Sequence, residues 1–370
     1  MIGGGQGAFI GGVHRMAARL DGRFELVAGA LSANAARAME SAVELGIRAY
    51  PDFATMIAAE RVRPDGAECV SIVTPNHMHH APALAALAAG LHVICDKPLA
   101  LTVEEGEAIA EAVANAHRVF VLTHNYSGHP MVRQARAMVA AGEIGAVRVV
   151  QVEYPQDWLA APLEESGHKQ AEWRVDPARA GAGGSLGDLG THAHHLAEYV
   201  TGLRVEQVLA DLQSFVPNRR LDDNAQVLLR LSGGARGMLW SSQVAPGNEN
   251  ALRLRVFGEH GGLDWSQEQP NQLRHAALGE APRILARGSG LLHPAASHAA
   301  RIPAGHPEGY LEAFAQLYRD AAEQITAMRE NREPDPLACT TPGVAEGVRG
   351  LRFVRAATAS AHAGGIWTRV

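Results

Sequence analysis

A chain of 370 residues, 47% hydrophobic and 19% charged, with 39 glycines and no low-complexity tract, is long enough for two buried domains and excludes a disordered, collagenous or disulfide-rich protein. Its 33 Lys and Arg against 39 Asp and Glu leave a net charge of −6, which gives no basic field for a phosphate backbone and argues against nucleic acid as a partner. Cys69, Cys95 and Cys339 are odd in number and lack metal-ligand spacing, and no apolar run reaches the roughly 18–20 residues that cross a bilayer, so a cytoplasmic protein with reduced thiols and no membrane partner is expected.

The chain opens on Gly3-Gly4-Gly5-Gln6-Gly7-Ala8, a fit to G-x-G-x-x-A, ahead of a helix predicted over 9–20. In that motif the first glycine makes the tight turn and the second lets a pyrophosphate approach the backbone. The small third residue lets helix and strand pack closely. Only Met1 and Ile2 precede it, so the first strand is expected to be abnormally short or incomplete. Apolar runs at 24–29, 69–73, 92–95 and 119–122 then alternate with Ala- and Leu-rich stretches near 33–46, 52–61, 79–90 and 102–116. The last of these starts at Thr102 with Glu104 and Glu105 suited to a helix N-terminus. Strands apolar on both faces with helices between them predict a parallel, doubly wound α/β sheet over 1–124.

At the end of the second strand, where an acid often meets the adenosine ribose, stand Ser32, Asn34 and Arg37. They suit the ribose or, for Arg37, a 2′-phosphate, so NAD and NADP both stay open as cofactor, with NAD favoured. Arg37 as a solvated helix residue is the competing possibility. Asp96-Lys97-Pro98 closes the run 92–95, which puts Lys97 at the crevice outside the strand ends. The proline, which restricts its predecessor and can be cis, fixes where the lysine points.

Beyond residue 147 the rhythm changes. Strands at 147–154, 225–231, 237–240 and 252–257 alternate with period two, which predicts a largely antiparallel sheet with one buried and one open face in an α+β domain over 125–370. An open face predicts a homodimer or homotetramer formed through it. Residues from 307 are helical again and can pack back on the first domain. Within this half, the glycine-rich stretch 180–187 runs into a predicted helix carrying Asp188 and His192, four apart and so on one helical face. The clusters His77-Met78-His79-His80 and His192, His194, His195 raise zinc, but no cysteine or acid follows at a usual interval, and no metal is expected.

The glycine motif, Thr74-Pro75-Asn76 after a buried strand, Asp96-Lys97-Pro98, and G-G-x-x-x-D-x-G-x-H from Gly183 to His192 together resemble the glucose–fructose oxidoreductase, inositol dehydrogenase and rhizopine catabolism protein family over nearly the whole chain. The resemblance implies a Rossmann domain, a C-terminal domain whose open sheet serves oligomerisation, and NAD(P)-dependent oxidation or reduction of a sugar or cyclitol carbon. By position it puts Lys97, Asp188 and His192 on the family's active-site lysine, aspartate and histidine. Asp96, where glutamate is commoner, and the short first strand depart from the pattern.

Oxidising an alcohol needs a base for the hydroxyl proton, and histidine titrates near neutral pH unaided. His192 is therefore the expected proton acceptor, with Lys97 polarising the substrate oxygen and Asp188 orienting substrate or histidine. The expected cofactor residues are Gly3, Gly5, Gln6, Gly7, Ala8, Ser32, Arg37, Thr74, Pro75, Asn76, His79, Asp96, Lys97 and Asn125. Tyr126, Trp158, Lys169, Trp173 and Arg174 join the three catalytic residues as expected substrate contacts. The alternatives are a non-catalytic dinucleotide- or sugar-binding regulator of the same fold, and a reductase of a non-sugar substrate.

Overall fold

The computed structural model describes residues Met1 to Val370. They form two compact units, one of Met1–Asn125 with Leu311–Val348 and one of Tyr126–Tyr310 with Arg349–Val370.

In the first unit β1 (Ile2–Gly3), α1 (Phe9–Leu20), β2 (Ala28–Gly29), α2 (Ala35–Glu44), β3 (Arg48–Ala49), α3 (Phe53–Arg61), β4 (Cys69–Val73), α4 (His80–Ala88), β5 (His92–Cys95), α5 (Val103–Ala116) and β6 (Phe120–Leu122) alternate. β1, β4, β5 and β6 form a parallel sheet in that order, β2 and β3 form a parallel pair, and a parallel bridge from Ile2 to Ala30 joins the two. The combined order 3-2-1-4-5-6 is the doubly wound Rossmann arrangement, with its switch point between β1 and β4. Val70, Ile72, Val93, Ile94, Val121 and Leu122 are buried, as strands covered on both faces require. Asn34, Asp52 and Thr102 cap their helices by accepting the amides of Arg37, Thr55 and Glu105. The apolar run 24–29 pairs only at Ala28 and Gly29, because its partner β3 is itself two residues long. Phe24 is occupied elsewhere, its ring edge-on to Tyr318 at 5.5 Å.

The second unit holds α6 (Pro130–Ala140), β7 (Val147–Pro155), the short helices α7 (Lys169–Arg174) and α8 (Pro177–Ala180), a π-helical turn at Leu186–Gly190, α9 (Thr191–Thr201), β8 (Val205–Gln213), β9 (Asn224–Leu231), β10 (Arg236–Ser242), β11 (Arg253–Gly258), β12 (Gly261–Ser266), β13 (Gln272–Ala277), β14 (Arg283–Ala286) and α10 (Pro294–Ala299). Towards the C-terminus follow α11 (Tyr310–Arg329), α12 (Val344–His362) and β15 (Thr368–Arg369). Nine strands make one sheet in the order β14-β13-β12-β11-β7-β10-β9-β8-β15, antiparallel throughout except for the β7–β10 pair. The period-two pattern resolves into two faces. Val150, Val152, Val227, Leu229, Leu239, Leu254 and Val256 are buried in one core, while Val149, Leu228, Met238 and Phe257 on the other face stay 39–47% exposed. No helix is long and apolar enough to cross a membrane.

Candidate active site

The chemistry of the first unit gathers at the carboxyl ends of β1, β4 and β5. Gly3, Gly4 and Gly7 have φ of +77°, +76° and +73°, which favours glycine at each. A Cβ on Gly5 would lie 2.7 Å from the Leu31 carbonyl oxygen, whereas one on Gly7 would meet nothing within 4 Å. The loop is thus tight where it passes β2 and open at Gly7. Ala8 makes no side-chain cap to α1, so the first-turn amides have no capping side chain and suit an anion. This cradle fits a dinucleotide pyrophosphate.

Close helix–strand contact, expected at Ala8, is made by Gly11. A Cβ there would sit 2.4 Å from both the Cα and the carbonyl oxygen of Gly4. A glycine inside a predicted helix is the signal that could have found it. Arg15 supports the loop from beneath, its Nη1 donating to the Gly4 carbonyl at 2.6 Å. The Gln6 side chain is turned to α2, donating to Glu44 at 2.9 Å. Ser32 is half-buried and Arg37 exposed, and Asn34 is occupied as the cap of α2.

Thr74, Pro75 and Asn76 leave the end of β4, with the Thr74 hydroxyl donating to the Met78 carbonyl at 3.0 Å. His79 is buried, and its ring nitrogens lie 2.7 Å from the Pro98 carbonyl and 2.8 Å from the Thr74 carbonyl. It ties the β4 loop to the Lys97-Pro98 loop. Burial lowers its pKa against the pull of Asp96 and both carbonyls. The Lys97–Pro98 peptide is cis. Asp96 accepts the Thr123 hydroxyl at 2.8 Å and lies 3.7 Å from His14 Nε2. Burial works against its charge, but His14, Lys97 and Thr123 outweigh it and hold the carboxyl at about 2. Asn125 is buried at the end of the segment following β6, its Nδ2 without a hydrogen-bond partner.

In the second unit Asp188 lies in the π-helical turn and His192 in the first turn of α9, a helix buried along its whole length. Asp222 builds the approach to both. Its carboxylate accepts the Gly184 amide at 2.7 Å, the Leu186 amide at 2.8 Å and the Ser185 hydroxyl at 2.9 Å. Asp188 accepts Arg174 Nε and Gln243 Nε2, each at 3.1 Å. The Arg174 guanidinium also lies 4.3 Å from the Trp173 ring centroid and 5.7 Å from that of Trp158. Arg174, Trp158 and Trp173, expected as substrate contacts, are therefore joined to Asp188 as one cluster, while Lys169 is exposed at the start of α7.

The His192 ring is edge-on to Tyr126 at 4.9 Å and to Tyr154 at 6.0 Å. The Asn250 side-chain oxygen accepts the Tyr154 hydroxyl at 2.7 Å and Gln156 Nε2 at 2.6 Å. Tyr154 has then used its proton, so the Tyr126 hydroxyl donates to Tyr154 and keeps lone pairs to accept with. Burial pushes the Tyr126 hydroxyl up to about 12. Tyr154, Gln243, Asn250 and Asp222 carry no sequence signal, because each stands in or beside a strand whose neighbours only the sheet register defines. Of the remaining histidines in the zinc clusters, His77 is exposed, His194 stacks on Phe353 at 4.4 Å and His195 tilts against Tyr199 at 5.5 Å.

A glycine cradle at the switch point of a doubly wound sheet defines the first unit as a dinucleotide-binding Rossmann domain. Residues 1–126 match the oxidoreductase family with an NAD-binding Rossmann fold, and residues 132–264 match the GFO/IDH/MocA C-terminal domain. The chain belongs to the GFO/IDH/MocA oxidoreductase family. It is 37% identical to the uncharacterized oxidoreductase YfiI of Bacillus subtilis over 99% of this chain and 95% of that one. It is 32% identical to levoglucosan dehydrogenase of Pseudarthrobacter phenanthrenivorans over 56% of this chain and 57% of that one. The crystal structure of an inositol dehydrogenase homolog from Azotobacter vinelandii, complexed with NAD+, aligns with a TM-score of 0.95 and 42% identity, covering 100% of this chain and 96% of that one.

Proposed function

We propose that this chain is a dehydrogenase that moves a hydride between a nicotinamide dinucleotide, NAD by preference, and a carbinol carbon of a sugar or cyclitol. The observation that carries this is the setting of His192, which lies against two buried tyrosines and one turn from an aspartate held by Arg174 and Gln243. Such a surround of hydroxyls, an amide and a paired carboxylate suits a polyhydroxy substrate. The inositol dehydrogenase homolog and levoglucosan dehydrogenase among its relatives support the same substrate class.

The glycine loop and the uncapped start of α1 would hold the pyrophosphate, with Thr74, Pro75 and Asn76 beside it. The bound nicotinamide supplies the hydride acceptor in oxidation and the donor in reduction. His192 takes the hydroxyl proton as the C–H bond breaks and the carbonyl forms, and returns it in the reverse direction. Lys97 polarises the same oxygen. Asp188 orients the substrate, and Tyr126 accepts a hydrogen bond from a neighbouring hydroxyl. His192→Ala and Lys97→Met should each lower kcat with myo-inositol or levoglucosan by about 100-fold or more and leave NAD affinity within about twofold. Wild-type turnover in either variant removes that residue from the chemistry. No turnover of any polyol by the wild-type chain with NAD or NADP favours a binding protein of the same fold.

A further inference from the structure

Beneath the Lys97 loop lies a line of polar groups with no place in the reaction above. His14, in α1, is fully buried. Its ring packs edge-on against Phe314 at 5.1 Å and Tyr318 at 5.8 Å, both from α11. His14 Nδ1 is 2.8 Å from the Tyr318 hydroxyl, and that hydroxyl is 3.0 Å from the Ser71 hydroxyl in β4. On its other side His14 Nε2 faces the Asp96 carboxylate at 3.7 Å, and Thr123 donates to the same oxygen.

The proton positions follow from the acceptor at one end. An ionised carboxylate only accepts, so the nitrogen facing it carries hydrogen, which in a neutral imidazole is the Nε2–H tautomer of His14. Nδ1 is then the acceptor, Tyr318 donates to it, and Ser71 donates to Tyr318. Three elements far apart in sequence thus aim their donors toward one carboxylate, and that carboxylate belongs to the residue before Lys97. The other ionisable groups in reach of this line are His79, which interacts with Asp96, and Cys69, whose thiol burial pushes up to about 12.

Resting on the dehydrogenase function proposed above, we infer that His14 is a positioning residue, set by Tyr318 and Ser71, that orients the Asp96 carboxylate and through it the Lys97 loop. Neither His14 nor Tyr318 touches substrate. The arrangement explains why an aromatic pair from a helix near the C-terminus is packed against α1, a place where a hydrophobic side chain would fill the space without needing partners.

The test has two arms. With 15N-labelled histidine, His14 in the full-length chain should show a protonated Nε2 and an unprotonated Nδ1. Tyr318→Phe, which keeps the ring packing, should shift the Nδ1 signal. An Nδ1–H form, or no response to Tyr318→Phe, overturns the inference whether or not any substrate is turned over. In the kinetic arm, with myo-inositol and NAD, Asp96→Asn and His14→Gln should lower kcat by on the order of 100-fold and tenfold. His14→Gln should leave NAD dissociation within about twofold, and both variants should move the turnover–pH profile in the same direction. Unchanged kcat and pH profile in His14→Gln, with the fold intact by circular dichroism, overturns the inference. If the wild-type chain turns over no polyol, the dehydrogenase proposal fails while the NMR arm still decides the fate of the His14 line.

Discussion

Gly7 and Gly11 stand four positions apart in one glycine-rich stretch and meet opposite constraints. At Gly7 the backbone has φ +73° and the space beside it is open, so Gly7→Ala should cost about 1 kcal/mol of stability through the left-handed backbone alone. At Gly11 the backbone is ordinary helix, but a Cβ would be 2.4 Å from Gly4, so α1 and the loop must part. Gly11→Ala should cost about 1–3 kcal/mol by overpacking and weaken NAD binding more than Gly7→Ala does, read by thermal unfolding and NADH fluorescence titration. Equal losses in both would place the close contact elsewhere. The motif pattern could be fitted to the letters with Ala8 in third place, but only the contact identifies Gly11.

At the scale of elements, the π-helical turn and α9 depend on a carboxylate that belongs to neither. Asp222→Ala leaves two buried amides without their acceptor and the Ser185 hydroxyl with only Ser241, which should cost about 2–4 kcal/mol and lower turnover, whereas Asp222→Asn keeps one acceptor oxygen and should cost less. A melting temperature unaffected by Asp222→Ala would show that the turn holds itself. The start of α6 carries a different liability. Burial lowers His129 to about 3, while an unfolded histidine titrates near 6.5. Between these values the unfolded state binds the extra proton, so stability falls as pH drops from about 6.5, by at most ~1.4 kcal/mol per pH unit for this residue. Burial lowers His194 and His195 in α9 as well, which adds to the slope. His129→Asn should flatten the fall in melting temperature between pH 7 and pH 5. An unaltered fall would mean that His129 takes its proton in the folded state.

For the whole molecule, the doubly wound half and the mostly antiparallel half were both legible, because the change from continuous apolar runs to period-two alternation is a local property of residues such as Val70-Ser71-Ile72-Val73 and Ala225-Gln226-Val227-Leu228. Lys97, Asp188 and His192 were singled out because they sit in short motifs. Their supports were not, since Tyr318 and His14, or Tyr154 and Asn250, lie far apart in the chain and no spacing rule links them. The strands β8, β12, β13 and β14 were also missed. They are short or interrupted by charged residues, and only their place in the register makes them strands. The open face they help to form sets Val149, Leu228, Met238 and Phe257 in solvent, and we propose that it joins subunits into a dimer or tetramer. Leu228→Glu with Met238→Glu should then lower the mass seen by sedimentation, and an unchanged mass would assign assembly to another surface.

The composition of the first unit also has a consequence in time. It takes in Leu311–Val348 as well as Met1–Asn125, so during synthesis its glycine loop and its lysine emerge long before Phe314 and Tyr318 do. At about 5–20 residues per second the ribosome needs tens of seconds to deliver those rings, and until then the imidazole of His14 lacks its walls. The nascent Rossmann half therefore waits, nearly complete, until residues 311–348 have been made.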